Sequence, residues 1–131
     1  MSKKDPVEVI LIETHRVIQE VVNATINNLS DSTLFYPPNA ALSESEIKEL
    51  GSLQLTHIAK EALQKVLLNM CSIPIFQMMT LMDGVADPEM QDYGFWPGLS
   101  FGKKKENEDM LHDKFYETYH KYVELKMRKL K

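Results

Sequence analysis

The chain has 131 residues, 44% hydrophobic and 26% charged, with a formal net charge of −4; that profile is of one soluble globular domain and excludes a disordered or membrane-embedded chain. Six Lys/Arg face thirteen Asp/Glu up to Ser100, and nine face six from Phe101 onward, so most of the chain lacks the positive footprint with which nucleic-acid binders neutralise phosphates. Glu8, Glu13 and Arg16 interrupt the N-terminal stretch that a secretion signal would need apolar, which makes the cytoplasm the expected location.

In chain order, Asp5-Pro6-Val7-Glu8 supplies an N-cap acceptor, a proline where no amide is needed and an early carboxylate, so a first helix starts there. Val7, Ile10, Leu11, Val17, Ile18, Val21, Val22 and Leu29 recur at helical spacing along it. Asn27 to Ser32 ends it. Leu34 to Leu42 reads as a connection because Pro37-Pro38 removes two donors, with Phe35 and Tyr36 expected to pin it to the core. Ser43-Glu44-Ser45-Glu46 has the form of a capping box, and the second helix is expected to run from it to about Cys71. Cys71, the single cysteine, reads as a small buried hydrophobe rather than a reactive thiol.

Pro74 suggests a bend and the first turn of a third, short helix ending at Asp83-Gly84, where glycine suits the left-handed cap. Apolar on most sides, this short helix is expected to lie buried. An acidic and aromatic interlude follows, read as a structured loop or small hairpin over 85–102, with Trp96-Pro97-Gly98-Leu99 composed as a type II turn. Glu106, Glu108 and Asp109 open the final helix on this reading, with Leu111, Phe115, Tyr119, Tyr122, Val123 and Met127 inward. The expected architecture is therefore an all-α, mainly antiparallel bundle of three long helices and one short buried one, forming a single domain over 1–131.

Chemistry is sparse. Glu117-Thr118-Tyr119-His120 has the Glu-x-x-His spacing of ferritin-like metal helices, but it occurs once and lies on a charged face. The carboxylates Asp83, Asp87, Glu89 and Asp92 do not follow an EF-hand, because Pro88 stands where its glycine belongs. Gly98 to Lys103 falls short of a phosphate-binding loop by one residue, and it lacks the hydroxyl after lysine. No serine sits in a nucleophile elbow, and Cys71 has no basic neighbour in sequence to activate it.

What remains is recognition. Methionines cluster around the third helix, and Tyr93, Phe95, Trp96 and Phe101 bring aromatic groups beside Asp87, Glu89 and Asp92; aromatic and methionine side chains dominate adaptable contact surfaces. The sequence thus points to a small non-enzymatic domain without a cofactor, binding a basic protein partner and neither nucleic acid nor membrane. Phe95 and Trp96 would anchor the contact while the carboxylates steer it. Acidic single-domain inhibitors, such as immunity proteins and antitoxins, share this size and charge as a class, without a shared motif. Two alternatives stand beside it: a metal- or small-molecule-binding bundle drawing on His15, His57, His112 and His120, and a homodimer closing an apolar segment on its own copy.

Overall fold

The computed structural model describes residues 4–99 and 110–130, and every regular element among them is a helix. In order these are α1 (Pro6–Asn27), α2 (Glu44–Gly51), α3 (His57–Met82) and α4 (Leu111–Lys129). The expected all-α class and the count of three long helices and one short one both hold. The short helix is a different one.

α2 is the short helix, and it buries no residue. It begins as expected, with the Ser43 hydroxyl accepting from the Glu46 amide at 3.2 Å and the Glu46 carboxylate accepting from the Ser43 amide at 3.3 Å. It ends at Gly51, where the Ser52 hydroxyl donates to the Glu49 carbonyl and the Leu53 amide tightens onto the Leu50 carbonyl. A fresh cap then starts α3, where the Thr56 hydroxyl accepts from the Ala59 amide at 3.1 Å. α3 runs through Pro74 without a break. Proline removes only the amide that would serve the Met70 carbonyl, and the apolar residues on both sides keep helical spacing, so one lost hydrogen bond does not divide the helix. The expected break at Cys71 to Pro74 is therefore corrected to a break at Gly51 to Thr56.

The residues gather into two compact units, Met1–Ile18 with Met70–Lys131, and Gln19–Asn69. In the first, α1 and α4 run in the same direction. Asp5 pairs with Lys114 at 3.2 Å, Glu8 pairs with Lys121 at 2.7 Å, and His15 lies against Phe115 and Thr118. α3 runs opposite to α4, with Phe76 against the rings of His112 and Tyr116. Leu11, Ile18, Met79, Phe115 and Tyr122 are the buried apolar side chains of this unit among the described residues.

The inward rows are narrower than the periodicity suggests. On α1 the buried row is Leu11, His15, Ile18 and Val22, while Ile10, Val17 and Val21 stay exposed. On α4 it is Phe115, Thr118 and Tyr122, leaving Tyr119, Val123 and Met127 exposed. On each helix a second apolar row beside the buried one is left uncovered.

In the second unit, Asn23 Oδ1 accepts from Gln19 at 3.1 Å and from Gln64 at 2.8 Å, fastening α1 to α3 beside the buried Val22. The connection after α1 closes on itself. Asp31 accepts from the Thr33 amide and hydroxyl, and the Ala40 amide reaches the Pro37 carbonyl. Phe35 and Tyr36 are nearly fully exposed, correcting the expectation that they pin this strap. Its turns are held by these local bonds, and both rings stay outward. By length and composition α3 could cross a membrane: it has 26 residues, and its most apolar 18-residue window has a mean hydropathy of 1.3.

Candidate functional site: a clasped loop between α3 and α4

The C-terminus of α3 leaves backbone carbonyls without helical donors, and the following loop is built around satisfying them. Gly84 adopts φ of +75°. Its amide donates to the Leu81 carbonyl, and the Val85 amide donates to the Thr80 carbonyl at 3.0 Å, the bonding of a Schellman cap. The chain then makes its excursion and returns. The Leu99 amide donates to the Met82 carbonyl at 2.7 Å, and Trp96 Nε1 donates to the Leu81 carbonyl at 2.8 Å.

This closure is tight enough to require glycine. A Cβ on Gly98, which has φ of +78°, would lie 2.6 Å from both the Gly84 nitrogen and the Met82 oxygen, and a Cβ on Gly84 would lie 2.8 Å from the Pro97 oxygen. The two glycine backbones therefore form a clasp that no side chain can enter. The positive φ of Gly98 is the one a type II turn needs at its third residue.

Asp83 fastens the same junction from the other side. Its Oδ1 accepts from the Leu111 amide at 3.2 Å, and its Oδ2 accepts from the His112 amide at 3.0 Å, so a residue ending α3 caps the start of α4. Met110 holds the N-cap position without a side-chain hydrogen bond of its own. The His112 ring, with Nδ1 at 2.7 Å from Asp83 Oδ2, adds a third bond to a carboxylate whose side chain is 5% exposed. Burial pushes the Asp83 pKa up; the two amides and the imidazole outweigh it and leave the pKa below the usual 3.8. Asp83 thus anchors the start of α4 rather than the loop that follows it.

Between its fixed ends the loop turns its apolar groups outward. Met90 is 95% exposed, Phe95 87% and Tyr93 64%. Asp87, Glu89 and Asp92 are exposed beside them, with Asp92 Oδ1 accepting from the Gly94 amide at 2.9 Å as an Asx turn. Trp96 is half-buried, with the Tyr93 ring edge-on at 5.2 Å. Phe101 and the expected helix start at Glu106 lie outside the described residues; α4 is seen to begin at Leu111.

No protein-family model, curated protein or solved structure matches the chain.

The four histidines have separate local settings. His15 is buried, stacks on Phe115 at 4.7 Å and has Nε2 at 2.6 Å from the Phe115 carbonyl. Burial pulls its pKa below the ordinary 6.5, and the bond to the carbonyl opposes that in part. His57 is exposed beside Glu61 at 3.1 Å. His112 belongs to the Asp83 junction, and His120 is exposed with its ring against Tyr119. Among the described residues no three His, Cys, Asp or Glu side chains are placed to hold a metal ion. Sequence reasoning found the loop but missed the cross-helix cap by Asp83. The distance of 28 residues between Asp83 and Leu111 gives no local signal.

Proposed function

We propose that this protein is a non-enzymatic, protein-binding helical domain whose contact surface is the clasped loop from Val85 to Leu99. The observation carrying this reading is the near-complete exposure of Met90 and Phe95 on a segment fixed at both ends by backbone hydrogen bonds. Large apolar side chains held out into water cost free energy in the lone protein, and covering them recovers it. A loop already held in shape loses less conformational entropy on docking than a floppy one.

Phe95, Met90 and Tyr93 make the contact, while Trp96, bonded to the Leu81 carbonyl, holds the loop and shows one edge. Asp87, Glu89 and Asp92 favour a basic surface opposite. By size and acidic charge the protein groups with acidic single-domain inhibitors of the immunity and antitoxin kind as a class, without a shared motif. We read the protein as working in water, in the cytoplasm. Support comes from α4, which carries Lys114, Glu117 and Lys121 alongside the half of α3 that bears Phe76, charges that would be expensive at bilayer depth.

The test is quantitative recovery of bound proteins by tagged wild type and by Phe95→Asp, after circular dichroism has shown equal helicity. At least one stoichiometric partner, a second copy included, should be lost with the variant. Identical recovery by both would contradict the reading.

A further inference from the structure

α4 offers a second surface that its own unit does not cover. Tyr119, Val123, Met127 and Leu130 follow one another at spacings of four, four and three, which puts them on one side of the helix next to the buried row. All four are exposed, Met127 at 57% and Leu130 at 76%. The last turn is basic, with Lys126, Arg128 and Lys129. Thus the C-terminal end of α4 is apolar and positive, whereas the loop is apolar and negative.

The two surfaces lie at opposite ends of the same helix. Asp83 fixes the root of the loop to Leu111 and His112 at the start of α4. With 19 residues in α4, the apolar basic end lies about 28 Å away at about 1.5 Å per residue. One chain cannot bring them together, but two chains placed antiparallel along α4 bring them together twice.

We propose that the occupant of the loop is a second copy of this chain, in a two-fold pair in which the loop of each copy covers the Val123, Met127 and Leu130 row of the other. This inference rests on the loop being a protein-contact surface and adds what it contacts. Charge complementarity selects the occupant: Asp87 and Glu89 meet Lys126 and Lys129 of the other copy, while Met90 and Phe95 meet Met127 and Leu130. A two-fold arrangement makes both contacts equivalent, so each copy's loop and helix end are engaged together. Such pairing is also salt-sensitive, because the ionic part lies at the rim.

The experiment is sedimentation of the full chain at increasing concentration. Wild type should move from 15.1 kDa to twice that mass. Two reversed variants, Asp87→Lys with Glu89→Lys and Lys126→Glu with Lys129→Glu, should each self-associate about tenfold more weakly or worse, since like charges then face each other. Mixed in equal amounts they should pair again, because loop and helix end are complementary in both contacts of the mixed dimer. Wild type that stays at 15.1 kDa, reversed variants that dimerise undiminished, or a mixture that does not recover would each overturn the proposal. A monomeric wild type that still loses a foreign partner through Phe95→Asp would overturn self-pairing while leaving the loop as a contact surface.

Discussion

His15 shows how a residue that looks like a candidate ligand is used as a structural group. Its ring fills the space between α1 and α4 against Phe115, Tyr119 and Tyr122, and one nitrogen is committed to the Phe115 carbonyl. A neutral imidazole fits there, whereas a charged one would sit in a poorly solvated site. The folded pKa is therefore below 6.5, and the unfolded chain takes up the proton first as the pH falls. Stability from this site is complete above about pH 6.5 and declines below it, where the unfolded state binds more protons. Urea midpoints at neutral and mildly acidic pH should diverge more in wild type than in His15→Gln, with the difference between the two isolating His15 from the other histidines. Equal divergence in both would place the titration elsewhere.

At the scale of elements, the loop depends on the glycine clasp. Gly98→Ala must force a left-handed backbone and push apart the Gly84 and Met82 backbones, so a loss of about 2 to 3 kcal/mol is expected. Gly94→Ala shares the positive φ but meets no atom within 4 Å, and about 1 kcal/mol is expected from the backbone alone. Thermal or urea unfolding of the two variants checks the order; equal losses would mean the clasp is not tight.

The clasp also marks how far the sequence could be read. Local signals were legible: the Asp5 acceptor, which takes the Val7 amide at 3.1 Å, the Ser43 and Glu46 capping box, and Gly84 as the cap of α3. Signals in competition were not. Pro74 looked like a start although α3 continues through it, and Thr56, the real start, offers only a hydroxyl without a paired carboxylate. Trp96 was legible as special but not as a group fastening the loop, since its acceptor lies 15 residues earlier in the chain. Periodicity puts the exposed row of α4 inward because it identifies apolar sides without saying which of them a neighbour covers.

Across the whole molecule, few large apolar side chains are buried among the described residues, and many are exposed on α1, α3, α4 and the loop. An uncovered apolar surface of this extent is what the proposed association would cover. The loop carries part of it on a segment fastened at both ends, beside the carboxylates that the proposed contact would use. The central claim is that this loop touches protein, and photo-crosslinking from a benzophenone amino acid placed at Phe95 tests it most directly. Tyr36, equally exposed but outside the loop, is the control position. A discrete protein adduct from position 95 and none from position 36 is the expected result; no adduct at 95, or equal adducts at both, would contradict it.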